Sequence, residues 1–170
     1  MVQNGNWSQV LRKQIVMIKI WKLLTPIFHP LAEHKINAAI LQSSVVVRKM
    51  YEAADVAKKE IAATGMKMPH SKIMVATIPV TAYPYRPDLP LISNHVDPDN
   101  YEKGTKRIIP AKDVCNQIIH SHVWDLAYTQ NSLSGFLVSS DRIKTKELLF
   151  IKLTDWIAYL KLCSYSYNNC

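Results

Sequence analysis

The sequence is poor in glycine, cysteine and phenylalanine, with four, three and three residues of each kind in 170. Four glycines are too few for a glycine-rich phosphate cradle, and the chain contains no GxGxxG, Walker or GxSxG motif. These gaps argue against a dinucleotide-binding enzyme, a P-loop NTPase and an α/β-hydrolase. The chain also has no uncharged apolar run of about 18 residues, so no membrane span is predicted.

The cysteines Cys115, Cys163 and Cys170 are sparse, odd in number and without CxxC spacing. This usage is typical of reduced thiols in a cytoplasmic protein. A bridge between Cys163 and Cys170 is an alternative, but a flexible tail over residues 164–170 is the favoured interpretation. No cofactor and no metal are predicted.

Charge is plentiful and of mainly one sign. Lys and Arg number 21 against 13 Asp and Glu, giving a net charge of +8, while 48% of the residues are hydrophobic. The composition predicts one globular domain over residues 1–170. The positive excess is compatible with RNA or other nucleic acid, acidic proteins or anionic lipid, and does not choose among them because it is spread along the chain.

Two helices are predicted in the first part of the chain. Residues 7–24 form the first, ended by Pro26 and Pro30; a helix lying on a membrane surface is an alternative to a packed one. Residues 31–64 form the second and clearest helix. Its apolar residues recur at helical steps at Ile36, Ile40, Val47, Met50, Ala54 and Ile61.

Residues 66–109 are predicted to be a proline-rich irregular insertion, since six of the nine prolines lie there. The stretch KIMVATIPVTAY within it has the β-branched content of a short strand. Tyr83, Tyr85 and Arg86 could stack on bases or hold a partner chain, or simply pack this segment onto the domain.

The C-terminal part is predicted to contain a β-hairpin made from GFLVSS and ELLFIKL, followed by a terminal helix at WIAYLKLC. The predicted fold class is therefore α+β, mainly an α-helical bundle with a small C-terminal β-hairpin and a terminal helix.

The stretch AKDVCNQIIHSHVWDLAY is predicted to be a helix opened by Pro110 and running to about Tyr128. At about 100° per residue, His120 and His122 point about 200° apart and cannot share a metal ion. On a strand the same spacing would favour zinc, but the helical period argues against a strand. His122 lies on the apolar side and is predicted to be a core histidine. Asn116 lies beside His120 on the opposite flank, where imidazole can act as a general acid or base. A solvated face, or a hydrogen bond that packs the helix, is the alternative for this pair.

The segment CNQIIH resembles the motif of HEPN-domain proteins, which are small helical ribonucleases and nucleotide-binding modules. That motif is an arginine and a polar residue, then three residues, then a histidine. Asn116 and His120 match the last two positions, while Cys115 stands at the arginine, and the resemblance covers about residues 35–128. It implies RNA cleavage through the 2′-hydroxyl by arginine and histidine, usually brought together across a dimer.

Cys115 cannot supply the fixed positive charge that stabilises such a transition state, so a copy that binds without cutting is expected. Arg48, Arg107 and Lys112 are the candidates to replace the arginine. The residues predicted to bind nucleic acid are Arg48, Lys49, Arg107 and Lys112.

Two functions remain open. One is a HEPN-like module that binds RNA or nucleotide, in a toxin–antitoxin or phage-defence setting, with Asn116 and His120 at a site that has lost catalytic activity or retains it. The other is a non-enzymatic protein–protein interaction or oligomeric scaffold protein, in which the same helix packs against a second copy, as a homodimer, or against another protein partner. A basic residue close to His120 would favour the first.

Overall fold

A computed structural model describes residues 6–64, 75–84, 104–129, 132–140 and 147–166. Four helices and five strands lie in these residues. In chain order they are α1 (Trp7–Leu24), α2 (His29–Thr64), β1 (Thr77–Pro84), β2 (Thr105–Pro110), α3 (Ala111–Ile119), β3 (Ser121–Thr129), β4 (Ser132–Ser140), β5 (Glu147–Lys152) and α4 (Leu153–Ser166).

The five strands form one sheet in the order β2-β1-β5-β4-β3, and the four pairs of neighbours are antiparallel. The helices pack against one face of this sheet. Phe136 of β4 lies at the centre of that layer, with its ring 5.0 Å from Trp124 of β3 and 6.1 Å from Trp156 of α4. The opposite face carries a second buried apolar cluster, made of Tyr83, Val123, Ala127, Leu137, Leu148 and Phe150.

The predicted mainly helical bundle with a small hairpin is wrong, because a five-stranded antiparallel sheet forms the core. GFLVSS and ELLFIKL do pair antiparallel as β4 and β5, but they lie in the interior of the sheet. KIMVATIPVTAY contains β1, as predicted, and β2 is a further strand whose first five residues lie at the end of the predicted insertion.

The predicted helix over residues 110–128 is also wrong in its second half, since α3 ends at Ile119 and residues 121–129 form β3. Val123 and Ala127 are buried on one face of the sheet, and Leu126 and Tyr128 on the other. A strand buried on both faces shows no alternation of apolar and polar residues. Without that alternation, the apolar residues of β3 were open to interpretation as one face of a helix.

The prediction of helices over residues 7–24 and 31–64 is confirmed by α1 and α2. α1 packs on α2 and α4 through Leu11, Ile15 and Ile18, all buried. The predicted stripe of α2 is buried from Ile36 to Ala54, while the side chain of Ile61 lies outside the described residues. None of the described helices is long and apolar enough to cross a membrane.

Parts of the other predictions fall outside the described residues. These are residues 66–74 and 85–103 of the proline-rich region, with Tyr85 and Arg86, and residues 167–170 with Cys170. Tyr83 is described, and it packs in the second cluster on the sheet, in line with the packing alternative. Residues 164–166 of the predicted tail belong to α4.

Candidate functional site

A cleft of about 180 Å³ lies where α2, α3 and the end of β4 meet. Six residues line it: Arg48, Asp113, Asn116, Gln117, His120 and Ser140. It contains Asn116 and His120, the predicted catalytic pair, and Arg48, one of the residues predicted to bind nucleic acid.

The end of α3 positions His120. Its backbone N–H donates to the carbonyl oxygen of Asn116 at 3.0 Å, and its φ of −104° and ψ of 24° take the chain out of the helix. On the other side of the cleft, the Gln117 Oε1 accepts a hydrogen bond at 3.2 Å from the backbone N–H of Ser140. Because Val114 and Ile118 are buried in the core, the polar face of α3 is held firmly against the end of β4.

Arg48 reaches across from α2, and its Nη1 lies 3.0 Å from the Nε2 of His120. A guanidinium group only donates hydrogen bonds, so Nε2 must accept in this geometry. The contact joins the end of α3 to α2 across the cleft.

Carboxylates compensate the positive charge around the cleft. Arg48 Nε lies 3.2 Å from Glu52 Oε1, and Lys49 Nζ lies 2.8 Å from Glu52 Oε2. The hydrogen bond from Lys49, with a smaller contribution from Arg48, lowers the pKa of Glu52. Asp113 adds a further carboxylate to the lining. Exposed ion pairs of this kind are weak, so a phosphate group can compete with Glu52 for Arg48.

The other basic residues predicted to bind nucleic acid do not line the cleft. Lys112 Nζ lies 3.2 Å from Asp55 Oδ2, which joins α3 to α2 beside the cleft. Arg107 forms a bidentate pair with Glu147, with N–O distances of 2.9 and 2.6 Å, on the sheet. Of the three candidates for the missing arginine, only Arg48 contacts His120.

Cys115 is buried in the core, with 1% of its surface exposed. Burial, with a smaller effect from neighbouring Cys163, raises the pKa of the Cys115 thiol well above its usual value. A neutral buried thiol can neither attack a substrate nor replace an arginine at the cleft. Cys115 lies on the buried side of α3, together with Val114 and Ile118.

His122 lies on β3 with an exposed side chain, so the predicted core histidine is wrong. The helical wheel failed here because α3 ends before His122. His120 is at the end of a helix and His122 in a strand, so the two do not share a strand face. Within the described ranges, no group of three or more His, Cys, Asp or Glu side chains could hold a metal ion.

Sequence reasoning missed Asp113, Gln117 and Ser140. Asp113 and Gln117 fall three residues before Asn116 and His120, and the spacing 113, 116, 117 and 120 is that of one helix face. This local signal could have identified both. Ser140 carries no such signal, because only the folded sheet brings the end of β4 to α3.

No family model, curated protein or solved structure matches the chain. Function must therefore be inferred from the cleft itself. At about 180 Å³ it is smaller than the pockets of roughly 300–1,000 Å³ that enclose small-molecule ligands. Its polar lining and open mouth suit a small anion, or one phosphate of a longer chain, better than an enclosed nucleotide.

Proposed function

We propose that the cleft binds RNA by one backbone phosphate, which Arg48 and His120 contact. The observation that supports this most strongly is the 3.0 Å contact between these side chains, which lie 72 residues apart in sequence. Arginine is the residue best suited to phosphate, because its planar group donates two parallel hydrogen bonds. An incoming phosphate would replace Glu52 as the partner of Arg48.

Amide side chains complete the proposed phosphate site. Asn116 and Gln117 both line the cleft and can donate from their NH₂ groups to phosphate oxygens. The backbone carbonyl of Asn116 also fixes the end of the helix at His120. The HEPN resemblance at Asn116 and His120 supports the same chemistry, with Arg48 from another helix in place of the motif's arginine.

Binding without cleavage is the form that we propose, because buried Cys115 stands at the position of the motif's arginine. Cleavage through the 2′-hydroxyl needs one group to remove a proton and another to protonate the leaving oxygen. The lining offers a single histidine, His120, and the carboxylate of Asp113. In a catalytic form, His120 would be the general acid or base and Asn116 would position it. A toxin–antitoxin or phage-defence setting remains a prediction.

Binding of labelled single-stranded RNA over a range of salt concentrations tests the proposal. Arg48→Gln should weaken binding by about tenfold and reduce the slope of log K against log salt by about 0.7, the value for one phosphate contact. His120→Ala should also weaken binding. Lys58→Gln is the matched control, since it removes one positive charge from an exposed position of the same helix.

An equal effect of Arg48→Gln and Lys58→Gln would mean that only overall charge matters, and would refute a site at the cleft. The same samples report cleavage. RNA products made by the wild type and lost in His120→Ala would add catalysis to binding. Circular dichroism spectra should be the same for all variants, so that lost binding is not lost folding.

A further inference from the structure

The turn between α1 and α2 exposes a group of large apolar side chains, here called the apolar tip. Its members are Val16, Ile20 and Leu23 of α1, Ile27 and Phe28 of the turn, and Leu31 of α2. Leu23 and Ile27 are the most exposed, at 78% and 71%. Clustered apolar exposure of this kind marks an interaction surface, whereas single exposed apolar residues do not.

The tip is built from ordered structure. Val16, Ile20 and Leu23 follow the i, i+4, i+7 spacing of one helix face, opposite the face that α1 buries in the core. The turn is hydrogen-bonded, since the backbone N–H groups of Ile27 and Phe28 both donate to the carbonyl oxygen of Leu24, at 3.0 and 2.9 Å. α1 therefore has two apolar faces, of which the core covers only one.

Positive charge borders the part of the tip that α1 contributes. Lys13 and Lys19 are exposed and flank the apolar stripe of α1 on opposite sides. On a helical wheel at about 100° per residue, the stripe covers about 140–200°, while Lys13 lies at about 220° and Lys19 at about 100°. Arg12 lies on the Lys19 side, over the ring of Tyr165. The sequence has no aspartate or glutamate before Glu33. The partner of this surface should therefore combine an apolar interior with negative charge.

We propose that the apolar tip docks on an anionic lipid surface, with its apolar side chains among the acyl chains and Lys13 and Lys19 at the headgroups. This arrangement of apolar residues bordered by lysines is the one that peripheral helices use in the membrane interface. A second copy of the chain fits less well, because apposed tips would bring lysines together with no carboxylate before Glu33 to compensate them. Docking of this kind needs no helix that spans the membrane.

Sedimentation with vesicles tests the docking, using the full chain and vesicles of phosphatidylcholine alone or mixed with phosphatidylserine. The wild type should bind the mixed vesicles and bind the neutral ones weakly. The double variant Lys13→Gln/Lys19→Gln should lose about 25-fold in affinity, about fivefold for each charge. Leu23→Gln/Ile27→Gln should lose at least about tenfold while keeping its circular dichroism spectrum.

Matched controls come from elsewhere on the surface. Lys58→Gln/Lys59→Gln removes the same charge from exposed positions of α2, and Ile108→Gln changes a side chain that is 73% exposed on β2. Neither should weaken vesicle binding appreciably. Failure of the wild type to bind mixed vesicles, or equal losses in the controls, would overturn the proposal.

Sedimentation equilibrium of the free protein separates docking on lipid from contact between copies. A dimer that Leu23→Gln/Ile27→Gln dissociates, without vesicle binding by the wild type, would assign the tip to a homodimer and contradict the lipid proposal. Retention of an acidic protein by the tip, in the absence of vesicle binding, would contradict it equally. RNA binding at the cleft is independent of all these outcomes.

Discussion

Replacing Tyr128 with phenylalanine tests the placement of β3 against α2. The Tyr128 hydroxyl donates to Glu33 Oε1 at 2.8 Å, while the rest of the side chain is buried with 5% of its surface exposed. Trp124, four residues earlier on β3, donates from its indole nitrogen to Asn37 Oδ1 at 2.9 Å. Both contacts place this face of β3 against α2.

The expected loss follows from the kind of hydrogen bond. A bond to a charged group contributes about 1.5–3 kcal/mol, and phenylalanine keeps the ring while removing only the hydroxyl. Glu33 retains 19% side-chain exposure and can take a water molecule instead, so the lower end applies, about 1.5 kcal/mol. For a chain of this size that corresponds to a fall in Tm of about 3–6 °C.

Urea unfolding of the wild type, Tyr128→Phe, Glu33→Ala and the double variant measures the contact as a double-mutant cycle. Tyr165→Phe is the matched control, because it removes the same hydroxyl at a site that is 63% exposed on α4, and its effect should stay within about 0.5 kcal/mol. A loss below about 0.5 kcal/mol in Tyr128→Phe, or an interaction energy near zero in the cycle, would refute this packing of β3 on α2.

Three further predictions concern the sheet, the buried tyrosines and the cleft. Gly135→Ala should cost about 1–3 kcal/mol or prevent folding, because the added carbon meets the backbone of β5, and an unchanged Tm would contradict the β4–β5 pairing. Burial raises the pKa of Tyr51 to about 12 and also raises that of Tyr159. The unfolded state therefore ionises first, so stability is complete at about pH 8 and is lower, by roughly 1 kcal/mol for each tyrosine, at about pH 11. Urea unfolding at both pH values measures this loss, and a constant stability would argue against their burial. Glu52→Gln should raise RNA affinity about twofold to fivefold by releasing Arg48, and a decrease in the RNA titration would count against competition at the cleft.

Helices with one buried face were predictable from the sequence. α1 and α2 have core residues at helical steps, and the prolines at positions 26 and 30 mark the junction between them. β4 and β5 were predictable as a pair because short apolar runs flank a polar segment. These signals depend only on neighbouring residues in the sequence, and the elements that they predict are present in the structure.

The sheet as a whole was not predictable. β3 is buried on both faces and therefore lacks the alternation that identifies a half-buried strand. β2 was missed for the opposite reason. This edge strand is exposed along most of its length, and its isoleucines Ile108 and Ile109 are adjacent and do not alternate with polar residues. Neither strand can be recognised without its neighbours in the sheet.

The candidate site also has a part that was predictable from local sequence signals and a part that was not. Asn116 and His120 share a helix face, which the spacing alone showed. Arg48 was named as a candidate for the missing arginine, but its contact with His120 depends on how α2 packs against α3. His122 was misplaced because no signal in the sequence marked the end of α3 at Ile119. Chemistry that depends on distant residues becomes visible only in the folded chain.

The most direct test of the cleft is an NMR titration of the His120 ring with a short single-stranded RNA. We expect that the His120 Cε1–H and the Arg48 Nε–H resonances shift together and saturate with the affinity measured for binding. In Arg48→Gln the shift of His120 should be lost or strongly reduced at the same RNA concentration. RNA binding that leaves the His120 resonance unchanged would contradict a phosphate site at Arg48 and His120.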